Sequence, residues 1–560
     1  MKLKPVKIGE MVIDPIFAVP SGIITTTPDT CELFSRNVYI GAVVTKSITP
    51  RSRLGNREPI FAQASSNTFI NAVGYTNTGL KEALKEFSEI NPEKPVIASI
   101  TAPSVKGFEY LAKNIREPFS SIEAVLSCPH TKGYGVEGGF NDPEITYEVT
   151  ESIVKKTGLP VIVKFAPDIS KIKDLAIAAK KGGASALSGM NTVRGTVIDD
   201  HTGKPILTNK YGGLSGEGVS AIGVECISLM RKAVRDLPII GGLGNESAKI
   251  GRQYLHAGAN ALYIGTALRG MSTKHINEFF RKYEADLLND YNEAEKMVTK
   301  EWIMKHEPYK IIDVERKGDE IKIFTFDKKI KAEPGQFVFV WKPRKSEKPF
   351  SVAYNNPLTL AVRKVGDFTS RMFELERGDE LMIRGPYGQG FPITNEESYL
   401  VGGGTGLAPL YFLATRLENP TILIGARTEN ELLFEKEFSE YGEVIISTDD
   451  GSKGRRSLVT DSLETYLCEN TLGKHSYFYN CGPEVMMKKA VEIEMNYTLP
   501  ERIFASVERY TPCGVGICGR CSMDGYRTCV DGPVFDSLFL KQSEEFGKFK
   551  RDRTGRKVFI

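Results

Sequence analysis

Residues 160–191 read PVIVKFAPDISKIKDLAIAAKKGGASALSGMN, and this stretch decides the architecture of the first half of the chain. An apolar, partly β-branched run at 160–165 predicts a strand. A helical pattern fills 171–182, and a second apolar run at 186–190 predicts another strand. Two strands separated by one helix are parallel neighbours joined by a crossover. The alternation recurs on both sides. Apolar runs at 15–20, 40–45, 95–100, 121–127, 238–242 and 261–265 complete a set of eight. Helical patterns at 79–88, 106–115, 145–156, 221–233 and 247–257 lie between most of them. Eight such strands within residues 1–290 fit a (β/α)8 TIM barrel. An open, doubly wound sheet is the competing topology.

A parallel barrel carries its chemistry at the C-terminal ends of its strands. Strand two ends at Lys46, strand four at Cys128, strand five at Lys164 and strand six at Asn191. Buried ammonium groups are costly without partners, so two lysines at strand ends suit an anionic or electron-rich ligand. The alternative, lysines snorkelling to the rim, serves for either one alone. The last two strands end in Gly241-Gly242 and Gly265-Thr266, and Gly212–Gly216 supplies a third glycine-rich stretch read as a loop. Such loops let backbone amides approach a phosphate. A lone cysteine is usually a small buried hydrophobe. Cys128 stands instead at a strand end, before Pro129 and a loop holding Gly133, Gly135, Gly138 and Gly139. That setting suits a base on a loop that opens and closes.

Behind the barrel, the charged run Arg281–Lys305 reads as a helical linker, and the pattern then changes. Residues 300–395 hold short alternating strands at Ile321–Phe326, Gln336–Trp341, Leu358–Arg363 and Leu381–Ile383, as in a small antiparallel β-barrel. Residues 396–500 return to an α/β nucleotide-binding pattern, with strands near 398–401, 421–425, 443–447 and 476–480. There Gly402-Gly403-Gly404-Thr405-Gly406 follows a strand and opens a helix, which aims amides at a pyrophosphate. Residues 501–560 form the fourth expected domain, with little periodicity.

Four of the nine cysteines crowd into that last segment, as Cys513-x4-Cys518-x2-Cys521 and Cys529. This spacing matches plant-type 2Fe-2S ligation. Zinc is the alternative, although zinc sites favour paired Cys-x2–4-Cys hooks. Hydrophobic residues make up 41% of the chain, enough for several cores. With 73 basic and 70 acidic residues, no single-sign field favours nucleic acid or a membrane surface. No apolar run reaches the roughly 18 residues of a membrane span, and the chain is expected to be cytoplasmic.

The segments Val43–Lys46, Asn71–Gly74, Ser127-Cys128-Pro129, Val163-Lys164, Asn191-Thr192 and Gly212–Gly216 together resemble the dihydroorotate dehydrogenase family over residues 10–275. The resemblance implies FMN, with Lys46 and Lys164 near its ring system and Gly242, Gly265 and Thr266 at its phosphate. Ser21, Gly22, Ser47, Gly216 and Gly241 are added to the cofactor side. Asn71, Asn191 and Thr192, with Lys46 and His130, are assigned to the substrate, and Cys128 to proton removal. Two positions depart from the family: Val125 and His130 stand where it usually has Asn. Ser127-Cys128-Pro129-His130 is similar instead to dihydropyrimidine dehydrogenases, which is the alternative substrate reading. A tRNA dihydrouridine synthase shares the flavin barrel and the cysteine, but it calls for a basic footprint that this composition lacks.

Downstream, Lys348-Pro349-Phe350-Ser351 is similar to the Arg-Pro-x-Ser flavin motif of ferredoxin-reductase-like proteins, and Gly366, Thr369 and Ser370 follow as further FAD contacts. Gly403, Gly404, Thr405 and Gly406 would hold NAD. The tail Cys529–Phe535 resembles the electron-transfer subunit of NAD-linked dihydroorotate dehydrogenases. The resemblance therefore implies a catalytic barrel fused to its FAD and 2Fe-2S reductase, oxidising dihydroorotate with NAD in pyrimidine biosynthesis. It also implies homodimers through the barrel.

Overall fold

Eight parallel strands close on themselves in the computed structural model of the chain. They are Phe17–Val19, Ala42–Val44, Val96–Ile100, Phe119–Val125, Val161–Lys164, Ala186–Gly189, Ile239–Gly241 and Ala261–Tyr263, each paired to the next in sequence. The ring is sealed by Leu262 opposite Phe17, which disposes of the open-sheet topology. The structure describes residues 3–127, 131, 133–289, 304–343, 345–473 and 475–560. Cys128, His130 and residues 290–303 of the expected linker lie outside them.

Local chemistry explains the helices between the strands. Ser104 caps Val105–Asn114 by accepting from Gly107 N. Asp142 caps Pro143–Lys156, accepting from Glu144 N and Ile145 N with proline in the first turn. Ser247 does the same for Ala248–His256. These are ordinary helix starts, each stabilising by about 1 kcal/mol. The strands run apolar because both faces are covered: Val43, Ile97, Ala124, Ile162, Leu187 and Ile240 are fully buried.

Over the barrel's functional end lies a four-stranded antiparallel sheet in the order Val193–Gly195, Gly212–Gly216, Thr68–Asn71, Phe61–Ser65. Gly212–Gly216 is therefore a strand, not the phosphate loop that its composition suggests. The glycines serve close packing. A Cβ at Gly212 would stand 2.4 Å from the Asn71 carbonyl oxygen, and one at Gly213 would stand 1.9 Å from Thr192 Oγ1.

The chain divides into two compact units. The first joins Met1–Ile303 to Val515–Gly525 and Arg551–Arg556, and the second holds Met304–Gly514, Tyr526–Lys550 and Lys557–Ile560. In the second, six antiparallel strands close a barrel in the order Glu307–Lys317, Ile321–Phe326, Leu358–Arg363, Ser346–Asn355, Phe337–Lys342, Glu380–Tyr387. Beside it is a seven-stranded sheet, ordered Arg455–Arg456, Glu443–Thr448, Thr421–Ala426, Ser398–Gly403, Tyr477–Cys481, Ile503–Ser506, Val534–Asp536. The helix Leu407–Ala414 packs Tyr411 and Phe412 against Tyr354 of the barrel strand. The sheet runs past residue 500, where a domain boundary was expected. Ile503–Ser506 pairs parallel to Tyr477–Cys481, and Val534–Asp536 pairs antiparallel to Ile503–Ser506. Little helix–strand alternation surrounds these two strands in the cysteine-rich tail, so nothing in the local pattern announces them. Among the described residues no helix is long and apolar enough to cross a membrane.

Candidate active site and redox centres

The C-terminal ends of the barrel strands surround a cleft of about 170 Å³. Lys46, Asn71, Lys164, Asn191, Thr192, Gly242, Gly265 and Thr266 all line it, together with Ser21, Gly22 and Ser47. The sequence placed these residues at one site, and the fold brings them together. Among the described residues the lining carries two lysines and no carboxylate, a donor set suited to an anionic ligand. Gly22 has φ +79°, and a Cβ there would come within 3.0 Å of Lys46 Nζ. The missing side chain leaves room for the ammonium group. Ser47 Oγ bridges Ser21 Oγ at 3.2 Å and Ser99 Oγ at 2.9 Å. The amphipathic pattern of the lining fits FMN: a polar end at the glycine turns and an apolar wall at Ile23, Met190 and Leu243.

The glycines at the seventh strand play a different part from the one expected. Gly242 N donates to Gly189 O at 2.7 Å, so its amide is spent inside the barrel. Its hydrogen side chain is required because a Cβ would meet Tyr263 O at 2.6 Å. The turn Thr266–Leu268 after the eighth strand is braced by a buried pair, Arg269 Nη1 to Glu246 Oε1 at 2.9 Å, with Arg269 also donating to Thr266 O. Burial pushes the Glu246 carboxyl up to about 7 against the opposing pull of Arg269.

The substrate-side amides are held in fixed orientation. Asn191 Nδ2 donates to Ser127 Oγ at 3.0 Å while its Oδ1 accepts from Thr192 N at 2.8 Å. Asn71 Nδ2 donates to Gly213 O at 3.3 Å. Val125 faces the cleft in an apolar group with Tyr75 and Tyr134, whose rings lie 5.6 Å apart. The guanidinium of Arg53 covers Tyr134 at 4.7 Å. Cys128 and His130 belong to this region of sequence and lie outside the described residues.

Three contributors escaped the sequence reading. Glu123, fully buried inside the barrel, lies 3.3 Å from Lys164 Nζ and accepts from Ser188 Oγ and Tyr263 OH. The clue was a carboxylate in the midst of the apolar run 121–127. Tyr75 joins the apolar wall beside Val125. The third is the segment Ile517-Cys518, which lines the cleft from nearly 500 residues away along the chain and is fastened there by backbone contacts. Ile24 N donates to Ile517 O at 2.8 Å and Thr26 Oγ1 to Cys518 O at 2.6 Å.

Cys513, Cys518, Cys521 and Cys529 are all buried, the condition under which thiolates hold an iron–sulfur cluster away from water. Gly514, Gly516 and Gly519 have φ of +79°, +68° and +64°, conformations that let the loop turn its amides inward. The spacing of these four soft donors along the chain is that of 2Fe-2S ligation.

In the second unit, Lys348, Pro349, Phe350 and Ser351 lie on the strand Ser346–Asn355. Phe350 stacks on Phe368, 6.3 Å between centroids, which brings the strand to the turn holding Gly366, Thr369 and Ser370. The Thr369 hydroxyl closes that turn, accepting from Val365 N and Gly366 N. Gly403, Gly404, Thr405 and Gly406 sit at the C-terminal end of a central strand, at the start of Leu407–Ala414. A Cβ at Gly406 would stand 2.4 Å from the Cys481 carbonyl oxygen, so the loop lies flat on the neighbouring strand end. Burial pushes the Cys481 thiol up to about 12.

Comparison with known proteins covers both halves. The family model described as dihydroorotate dehydrogenase matches residues 6–283. The oxidoreductase NAD-binding domain matches 400–492, and the iron-sulfur cluster binding domain of dihydroorotate dehydrogenase B matches 508–540. The chain is 46% identical over 238 residues to a probable dihydroorotate dehydrogenase B (NAD(+)) electron transfer subunit of Pyrococcus horikoshii, covering 42% of this chain and 92% of that one. It is 41% identical over 257 residues to the subunit of the same description from Methanocaldococcus jannaschii, covering 45% of this chain and 97% of that one. It is 39% identical over 266 residues to a dihydroorotate dehydrogenase B (NAD(+)) catalytic subunit of Pyrococcus abyssi, covering 47% of this chain and 88% of that one.

Proposed function

Since the chain belongs to the dihydroorotate dehydrogenase B family and carries both of that family's parts in one polypeptide, we propose that it oxidises dihydroorotate to orotate and delivers the electrons to NAD within one molecule. The reaction serves pyrimidine biosynthesis. When bound, FMN supplies the hydride acceptor, the 2Fe-2S cluster a one-electron carrier, and FAD the two-electron partner of NAD.

The observation that carries this reading is the lining of the barrel cleft. Cys518, assigned to the cluster, lines the same cavity as Lys46, Lys164, Asn71 and Asn191. A cluster ligand beside a substrate cleft has no use in a simple reductase and an evident one in an enzyme that must empty its flavin one electron at a time.

The proposed roles follow from the contacts. Lys46 and Lys164 place positive charge where a reduced flavin is anionic. Asn191, fixed by Ser127 and Thr192, presents its amide to the pyrimidine ring, and Asn71 works beside it. Cys128 removes the proton from the carbon next to the carbonyl. Lys348–Ser351 with Gly366 and Ser370 hold FAD, and Gly403–Gly406 hold the pyrophosphate of NAD. The proposal extends to a cytoplasmic homodimer joined through the barrels, open to test by sedimentation and cell fractionation.

Anaerobic turnover of cofactor-loaded protein tests the reading. NADH formed from dihydroorotate and NAD⁺ is the expected result. Turnover of dihydrouracil alone would overturn the substrate assignment and make the apolar Tyr75–Val125 wall the feature that defines the pocket.

A further inference from the structure

In the second unit, Arg384, Glu347 and His306 are buried together with no part in the chemistry above. The side chains of Arg384 and Glu347 are completely inaccessible. Arg384 Nε donates to Glu347 Oε1 at 2.7 Å and Nη2 to Oε2 at 2.8 Å, a bidentate pair. His306 Nε2 lies 2.7 Å from Glu347 Oε1. Burial alone would raise the Glu347 carboxyl, but Arg384 and His306 hold it below the ordinary carboxylate range, and the two short parallel contacts are those of an ionised pair. Such a pair is a poor device for stability, because well-packed apolar residues of the same volume serve as well or better.

Its remaining contacts suggest another use. Arg384 Nη1 donates to Tyr387 OH at 2.9 Å and to the backbone carbonyl of Cys513 at 3.1 Å. The guanidinium carbon lies over the Phe339 ring, 3.9 Å from its centroid. A Cβ at Gly514, the residue after Cys513, would stand 2.6 Å from the same ring. Glu347 immediately precedes Lys348-Pro349-Phe350-Ser351. One guanidinium thus ties the strand bearing the flavin motif to the peptide of the first cluster cysteine.

We propose that Arg384 is a positioning residue that pins the Cys513 peptide and, through its fixed charge, sets the reduction potential of the cluster. The inference rests on the assignment of Cys513 as a cluster ligand. Reduction adds negative charge to the cluster, and a cation held nearby favours it. Glu347 touches the guanidinium on the side away from Cys513 and partly cancels its field.

The test is an EPR-monitored redox titration of the purified, cofactor-loaded chain, with iron and FAD counted per molecule. Glu347→Gln uncovers the charge and raises the ratio of reduced to oxidised cluster at a fixed ambient potential by about tenfold. The paired change Glu347→Gln with Arg384→Gln removes charge and donor and lowers the ratio by a similar factor. Full iron with unchanged ratios in both overturns the proposal. Iron lost while FAD and NADH-dependent dye reduction persist supports the pinning of Cys513. If neither Gln variant folds, Arg384→Lys keeps the charge without the fork. Its EPR signal then broadens with little change in ratio, and an unchanged line shape overturns the proposal. Cys513→Ser stands apart: a cluster signal that survives it refutes the ligand assignment instead.

Discussion

Lys164 and Glu123 occupy neighbouring strands of the barrel, with Nζ 3.3 Å from Oε1 and the carboxylate wholly shut off from solvent. The carboxylate also accepts from Ser188 Oγ at 2.9 Å and Tyr263 OH at 2.6 Å. Lys164 is thereby a cleft lysine whose charge is balanced from beneath, from within the barrel.

Removing one member of such a pair leaves the other buried and unbalanced. Lys164→Ala is expected to destabilise the barrel by about 3–5 kcal/mol. Adding Glu123→Gln should recover a substantial part of that loss. Denaturant unfolding of the two single variants and the double variant measures the coupling; strictly additive losses would show that the pair is not coupled.

Cys128→Ala should reduce dihydroorotate oxidation by at least about a hundredfold, the scale of a lost general base. NADH-dependent dye reduction should be untouched, because it uses only the reductase. In the unsubstituted protein the oxidation rate should climb with pH toward the ordinary thiol range, near about 8.5. A parallel fall of both activities in the variant would contradict the division of labour.

Glu494 gives a stability prediction with a definite sign. It is fully buried, and burial raises its carboxyl to about 8 against the help of Asn480, which donates to it at 2.8 Å. The folded state therefore holds the proton more tightly than the unfolded chain. The carboxyl costs nothing below the unfolded value of about 4.5, and the cost grows as pH rises from there to about 8. Glu494→Gln should leave the melting temperature unchanged near pH 4 and raise it at pH 8, a gain of a few kcal/mol. Melting curves across that interval decide it; equal effects at both ends would refute the raised value.

Gly406→Ala introduces a methyl group where the Cys481 carbonyl oxygen is only 2.4 Å away. The loop must lift off the strand end, and the amides it presents move with it. KM for NAD should rise by about tenfold while FMN content and the barrel's half-reaction with dihydroorotate stay unchanged. Stopped-flow flavin reduction beside steady-state kinetics separates the two.

Much of the architecture was legible because it depends on near neighbours. Period and apolar runs placed all eight barrel strands and the six helical patterns between them. Chemistry at strand ends could be read for the same reason: a strand that stops at Lys46, Lys164 or Asn191 in a parallel barrel delivers it to the common face. Other features depend on what lies across the gap. Gly212–Gly216 looks like a loop until Asn71 and Thr192 press against it. Glu123 looks misplaced until Lys164, Ser188 and Tyr263 surround it. Nothing near Cys518 in sequence shows that the Thr26 hydroxyl, 492 residues away, will donate to its carbonyl oxygen. The sequence by itself determined the barrel's strands and helices, the cofactor classes and the residues at the strand ends. Only the tertiary structure decided that Cys518 lines the barrel cleft and that buried ion pairs stand behind Lys164 and Cys513. A charge is tolerated in a core only by the partner that faces it, and that partner is chosen by packing rather than by position in the chain.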